Sequence, residues 1–487
     1  MTASRAALVA AIGLCVSTVA AAQRPTRCSF QSDRFSTDSL PGIGQVTYLA
    51  GSVVIRCPAR GIVLRGDSAE QRADGDHVIG HAVYDEPRFH VTSDFLNYFE
   101  TDERIVAVGN VHARLPNGST LVGPVAEYRR PVARKRSVDT VFARARPTIT
   151  IIQKDSTGKP MDPMTVVAEN VFMAADSLVN GWGQVVITRT DISATADSVA
   201  LDEGKETVRL MKKPELRGKK DRPFSLKGEL IDLYSKNRKL ERVIARSKAV
   251  AVSDSMTLTS DTIDLRVRND LLDHAYAWGA TSRARAVSPS ETLLADSLDI
   301  TMPAQRIQLM RALTNAVAHS RVDTLRFHLE PPDTTDWLRG DTITAHFDTA
   351  ATKDTSRTPN IRQLLANGHA AAWYHIPASD SSERRPAINQ VTARLITISF
   401  EKQKVATVTA IDSVVGVYVE PRADSTARGD STRKGAPPKG APPKGAPANG
   451  APRNGTPPKT PAKPPAKPPA SPPAKPAAAS PIAPKKP

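Results

Sequence analysis

The sequence predicts an all-β protein assembled from repeated antiparallel strand units, and three observations predict it. Between about Gln45 and Pro421, apolar and polar residues alternate in short segments, while long runs of 3.6-residue apolar periodicity are missing; alternation is the pattern of a strand buried on one face. Turn-forming clusters such as Arg72-Ala73-Asp74-Gly75-Asp76, Pro116-Asn117-Gly118 and Asp202-Glu203-Gly204 separate those segments. The segments also repeat.

Each repeat carries a small residue, an acid, any residue, and then apolar side chains two and four places after the acid. The instances are Ser93-Asp94-Phe95-Leu96-Asn97-Tyr98, Ala196-Asp197-Ser198-Val199-Ala200-Leu201, Gly228-Glu229-Leu230-Ile231-Asp232-Leu233 and Ser260-Asp261-Thr262-Ile263-Asp264-Leu265, followed by Ala295-Asp296-Ser297-Leu298-Asp299-Ile300 and Gly340-Asp341-Thr342-Ile343-Thr344-Ala345. Gly66-Asp67-Ser68 opens in the same way, and Ala393-Arg394-Leu395-Ile396-Thr397-Ile398 keeps the apolar pair without the acid. From Asp197 to Glu229 to Asp261 the spacing is 32 residues each time, and 35 from there to Asp296.

A second alternating segment follows most signatures, as at Val106-Ala107-Val108, Val208-Arg209-Leu210, Val243-Ile244-Ala245 and Ile307-Gln308-Leu309, and a third opens at Gly109-Asn110-Val111 or Asn367-Gly368-His369. The unit reads as strand, polar turn, strand, tight turn, strand. Side chains alternate along a strand, so the two apolar residues share a face, with the acid at its edge. Stacked units then present one apolar and one polar face, and several are needed to bury the apolar one. Hairpin turns at this period favour antiparallel pairing over a parallel β-helix. Two stretches break the pattern: Arg129–Pro163, with the basic run Arg134-Lys135-Arg136, and Pro331–Pro359, rich in Asp and Thr. Both read as long loops, the first dividing a segment 45–150 from a longer one, 164–421. The repeated acid has a local reading as a turn former that accepts nearby backbone N–H groups.

The ends differ from the body. Arg5, an apolar run from Ala6 to Val19 and Ala20-Ala21-Ala22 before Gln23 form the pattern of a cleaved export signal over residues 1–22. The run is shorter than the roughly 20 apolar residues of a membrane span. Residues 23–44 form an N-terminal extension. Beyond the leader, Cys28 and Cys57 are the remaining cysteines. In an oxidising space they can form a disulfide, worth about 3 kcal/mol on the chain-entropy model; two free thiols in a loose N-terminal segment are the alternative. Residues 422–487 open with Lys434-Gly435-Ala436-Pro437-Pro438 repeats and become Pro-, Ala- and Lys-rich, the composition of an extended, disordered coil. Such a cationic tail suits contact with anionic envelope surfaces, or is simply solvated.

The formal net charge of +16 does not make a nucleic-acid binder. The tail holds nine lysines, Arg453 and no acid from Lys434 onwards, and aromatic residues are 5% of the chain. A basic face interleaved with stacking aromatics is therefore missing. Enzyme signals are also thin. The ten histidines show no metal-ligand spacing, and His77 and His81 lie around Gly80, not on one helix face. No phosphate loop, nucleophile elbow or CxxC pair is present. The expectation is a non-enzymatic protein without a cofactor or metal.

The small-Asp-x-apolar-x-apolar signature, a polar turn and an alternating strand ending in Gly-Asn-Val resemble the OstA-like family of periplasmic lipopolysaccharide-transport proteins, which includes LptA and LptC. The local match runs from Thr92 to Tyr98 and from Arg104 to Val111, and degenerate copies extend it from about Gly51 to Val419. The resemblance implies an elongated, twisted antiparallel β-jellyroll in the periplasm, its two sheets facing across an apolar groove. It implies lipopolysaccharide or a similar amphipathic lipid as partner, carried towards the outer membrane. Other β-jellyroll components would join by edge-strand addition, here at Val53 and near Val417. Carried onto this chain, the groove lining is Leu96, Tyr98, Val199, Leu201, Ile231, Leu233, Ile263, Leu265, Leu298, Ile300 and Ile343. The strands of Val106 and Val108, Val208 and Leu210, and Ile307 supply the facing wall. The same apolar pairs also suit a closed core with no groove. A lipid conduit, a structural or partner-binding envelope repeat, and a carbohydrate-active β-solenoid are thus the functional classes to separate.

Overall fold

The computed structural model describes residues 28–420 except 153–156, 160, 176, 219–222, 254–255, 323–328, 330–333, 349–359, 377–385 and 402–403. The predicted leader and the Pro/Ala/Lys-rich tail lie outside the described residues. What lies between is all-β, with two single-turn 3₁₀ segments at Glu100–Asp102 and Pro303–Gln305. Among the described residues no helix is long and apolar enough to cross a membrane.

The strands in order are β1 (Ser29–Gln31), β2 (Arg34–Leu40), β3 (Gly44–Cys57), β4 (Ile62–Gln71), β5 (Asp76–Glu86), β6 (Phe89–Phe99), β7 (Arg104–Arg114), β8 (Thr120–Arg129), β9 (Thr140–Arg144) and β10 (Thr148–Ile151). There follow β11 (Met164–Val167), β12 (Asn170–Ala174), β13 (Leu178–Thr188), β14 (Ile192–Asp202), β15 (Thr207–Met211), β16 (Glu215–Gly218), β17 (Phe224–Lys227), β18 (Leu230–Lys236), β19 (Lys239–Ser253) and β20 (Thr257–Arg268). The last are β21 (Leu271–Trp278), β22 (Ala284–Val287), β23 (Glu291–Ala295), β24 (Ser297–Thr301), β25 (Leu309–Arg321), β26 (Thr335–Phe347), β27 (Ile361–Ile376), β28 (Ala387–Glu401), β29 (Lys404–Ile411) and β30 (Val415–Val419).

These strands make one antiparallel ladder in chain order. Most are long and bent, and each pairs with the next in two blocks separated by a register shift. Thus Thr47–Ala50 of β3 pair with Ser68–Gln71 of β4, and Val53–Cys57 pair with Ile62–Gly66. Each rung therefore has two arms, and the arms stack into two walls that meet at the bends. Elsewhere two short strands share a rung, as β15 and β16 do against β14. One wall ends on turns such as Pro58–Gly61 and is called here the Cys57 wall; the other ends on turns such as Glu100–Glu103 and is called the Glu103 wall. The ladder is unbroken through both stretches expected to be long loops. β9 and β10 occupy the first, joining β8 to β12 and β11, and β26 occupies the second. The chain therefore does not divide between 150 and 164.

Two kinds of bend alternate. Strands such as β5, β7, β13 and β27 turn through two consecutive residues in the left-handed region: Gly80-His81, Gly109-Asn110, Gly183-Gln184 and Gly368-His369. Most of the intervening strands turn at the acid of the sequence signature, whereas β8 turns at Gly123-Pro124. In β14 the buried positions are Ala194 and Ala196, then Val199 and Leu201, so the inward parity changes across Asp197. The small residue before the acid points into the crease where the walls converge: Ser93, Ala196, Ser260 and Ala295 are buried, and a Cβ on Gly66 would collide with Val78. The acid turns outward and packs on the left-handed pair of the next strand. Asn110 donates to Asp94 (2.9 Å) and Asn315 to Asp296 (2.9 Å), while His81 meets Asp67 at 2.8 Å. A side chain on Gly109 would strike the Asp94 carboxylate, so this position needs glycine both for its φ of +78° and for room. The acids are thus cross-strand corner groups. Asp261 comes nearest to the local-cap reading, accepting the Thr281 and Ser282 N–H groups (2.8 and 3.1 Å) from across the corner. At the last such corner the charges are exchanged, with Arg394 donating to Asp412 (2.7 Å).

The predicted N-terminal extension supplies the first rung. β1 and β2 both pair with β3, and Cys28 is disulfide-bonded to Cys57. Val53 consequently lies inside the ladder, and the N-terminal edge is formed by β1 and β2. Val417 does lie at the other edge, in β30, which pairs with β28.

Candidate functional site

One side of the interior between the walls is made of the apolar pairs of the signature, packed as buried core. Leu96, Tyr98, Val199, Leu201, Ile231, Leu233, Ile263, Leu265, Leu298, Ile300 and Ile343 are all buried and belong to one continuous apolar cluster, and none of them is among the residues around the cavity that opens at β25 to β29. Every one of them sits on the Glu103 wall, because every acid-bearing strand runs from the Cys57 wall to the Glu103 wall.

Three expectations need correction. Val106 is half-buried and Val108 is 37% exposed; the inward residues of β7 are Ile105 and Ala107. Directly opposed residues of an antiparallel pair share a face, and Tyr98 opposes Ile105 while Leu96 opposes Ala107. Secondly, Val208 and Leu210 do point inward, but β15 hydrogen-bonds beside β14 in the same wall, so they do not face Val199 and Leu201. Thirdly, Ile307 precedes β25 and packs, half-buried, at the margin of the core. The facing wall comes from residues that precede the acid, such as Leu64, Val91, Leu258 and Leu338, and from the strands beside them, such as Tyr84 and Leu121. The signal of the former was present in the sequence as apolar residues two and four places before the small one, in Ile62-Val63-Leu64 ahead of Gly66 and Phe89-His90-Val91 ahead of Ser93.

The interior differs sharply between the two ends of the ladder. Around β4 to β8 it is filled by aromatic rings that touch across the walls. Phe89 of the Cys57 wall stacks on Tyr128 of the Glu103 wall at 4.0 Å, and the Tyr84 and Tyr98 rings lie 6.2 Å apart. Charged groups then tie the two lips together. Arg60 donates to Glu103 (2.6 Å) and to Glu100. Arg130 pairs with Glu86 (2.9 Å) and Glu103 (3.0 Å) and also donates to the Arg60 carbonyl (3.4 Å). Tyr128 donates to Glu86 at 3.1 Å. Burial pushes the Tyr84, Tyr98 and Tyr128 hydroxyls above their ordinary range, so they stay neutral donors beneath the ion pairs.

Towards β25 to β29 the inward side chains become small, with Ala312, Ala316, Ala345, Ala366, Ala370 and Ala372 in succession. A cavity of about 480 Å³ opens there between the walls, lined by Leu338, Ala372 and Tyr374 on one side and by Ala345, Leu364 and Ile398 on the other, with Phe347 and Phe400 at the lip. That volume falls in the range of about 300–1,000 Å³ typical of small-molecule sites. One rim is polar. Burial pushes the Glu291 and Asp336 carboxyls up despite hydrogen bonds from Ser288 and Ser290 to the first and from His375 to the second. The His375 backbone and Nδ1 reach Asp336 at 3.0 and 2.7 Å. The arrangement suits a ligand with an apolar body and a polar end. Among the described residues no group of His, Cys, Asp and Glu is arranged to hold a metal ion.

No protein-family model and no curated protein matches the sequence. Among solved structures the chain is similar to LptH, the LptA-homologous periplasmic component of the lipopolysaccharide transport device of Pseudomonas aeruginosa. The identity is 20% and the TM-score 0.22, over 26% of this chain and 94% of that one.

Proposed function

We propose that the protein is an exported, non-enzymatic envelope component that shelters the acyl chains of a lipopolysaccharide-type lipid and carries it towards the outer membrane. The observation that carries this reading is the apolar cavity between the walls at β25 to β29. Each acyl methylene moved from water into such a space contributes about 0.8 kcal/mol, and the polar rim leaves the headgroup at the lip. The sealed interior around β4 to β8 favours a second reading, a structural or partner-binding envelope repeat. Site-specific photo-crosslinking in cells separates them. A probe replacing Leu364, which lines the cavity, is expected to capture lipid, whereas one replacing Arg362, exposed on the same strand, is not. A folded, exported protein that captures nothing at Leu364 would leave the structural reading.

A further inference from the structure

A conduit passes lipid from end to end, and this interior is not built alike from end to end. A lipid moving from the β25–β29 cavity towards the N-terminus meets interior residues that are fully buried, among them Ile300, Ile263 and Ile231. It then meets the Tyr84, Phe89, Tyr98 and Tyr128 rings, which fill the space between the walls. Above those rings the lips are joined by Arg60 and Arg130 to Glu86, Glu100 and Glu103. Lys135 and Arg136 brace the Glu103 lip itself, the first on the Asp102 carboxylate and the second on the Asp102 carbonyl (3.1 Å). To thread an acyl chain there, several buried rings must leave their contacts and the ion pairs must part, among them that of Arg130 with the buried Glu86 carboxylate; leaving a buried charge without its partner is unfavourable.

We infer that the lipid site is one-ended: lipid enters and leaves through the β25–β29 portion, and the β4–β8 rungs are a permanent stopper. The inference rests on the acyl-lipid reading above and narrows it. The chain is a receptor that holds lipid at one end of the ladder, and its N-terminal rungs serve as a stem. Binding then saturates at a single locus instead of filling the ladder's length.

The test uses the full chain with purified lipopolysaccharide micelles and a photoreactive phenylalanine analogue at Leu364, at Phe400 or at Tyr98. The Tyr98 substitution keeps an aromatic ring, and a β-type circular dichroism spectrum with cooperative unfolding reports that each variant has folded. Adducts are expected at Leu364 and Phe400, with at least tenfold less at Tyr98. The lock itself is tested by adding Arg60→Ala and Arg130→Ala to the Tyr98 probe, which should raise its yield severalfold. A filling variant, Ala318→Trp, reduces adduct formation at Leu364 and must not create it at Tyr98. Comparable adducts at Tyr98 and Leu364 in the otherwise unaltered chain overturn the one-ended site while leaving lipid binding intact. Adducts at none of the three positions overturn the lipid reading and this inference together.

Discussion

The β4–β8 and β25–β29 portions share one backbone plan and differ in what fills it. Both have bent rungs, small residues in the crease and an outward corner group resting on a left-handed pair. In the first, inward positions carry Tyr84, Phe89, Tyr98 and Tyr128; in the second they carry Ala316, Ala345, Ala370 and Ala372. Whether the space between two walls is core or cavity is thus decided by side-chain volume at a few positions, not by the fold. The corner signature cannot distinguish them, because it is the same at Asp94 and at Asp341.

Packing mutations should break the comparison most visibly. Leu64, fully buried opposite the aromatic cluster, is expected to cost about 3 kcal/mol as Leu64→Ala in denaturant unfolding, within the range for buried leucines. Leu364→Ala, on the half-buried cavity wall, should cost about 1 kcal/mol or less yet weaken lipid capture. Equal losses would mean that the cavity collapses into a core in solution. An effect comparable to that of Leu64→Ala belongs to the Cys28–Cys57 link, which closes a loop across 29 residues. Cys28→Ser with Cys57→Ser should remove about 3 kcal/mol, and hydrogen exchange should place the loss in β1 to β4 and not in β26 to β28.

Acidity should sharpen the contrast by a smaller amount. Burial raises Asp336 and Glu291, so the folded chain binds their protons more readily than the unfolded chain does. Their contribution to stability is greatest below the ordinary carboxylate range and declines as pH rises through the raised values. Asp85 in β5 behaves oppositely: burial would raise it, but His90 and Arg65 hold it below that range. Its contribution is present above the ordinary range and is lost as pH falls through the depressed value. Hydrogen exchange, corrected for intrinsic rates, should therefore show β26 gaining protection relative to β5 as pH is lowered from 7 to about 4, and further below it. Parallel behaviour of the two strands would assign the burial of Asp336 to a feature that solvent removes.

Much of this was legible in the sequence. The small-acid signature located every bend between β4 and β28 at which it occurs, and the apolar pair that follows it marked the Glu103 wall. The frame of β7 was not legible, because Ile105 with Ala107 and Val106 with Val108 are equally apolar; only the partners Tyr98 and Leu96 decide between them. The strands in Arg129–Pro163 were obscured by Arg134-Lys135-Arg136 and neighbouring prolines, although Thr140–Arg144 and Thr148–Ile151 alternate cleanly. Alternation records which way a side chain points, but the room it leaves depends on rungs far away in sequence. For that reason the same signature was compatible with both a groove and a closed core.

The corner has a consequence for how such a chain can change its length. Each corner is completed by a group on one strand and a partner on the next, in most cases a left-handed pair, so the indivisible unit is two rungs. Removing one rung reverses the chain direction of everything that follows and sets two corners of the same kind side by side. Removing two restores direction, inward parity and corner alternation at once. Length in this molecule is quantised, and insertions or deletions that preserve the ladder come as hairpin-sized steps.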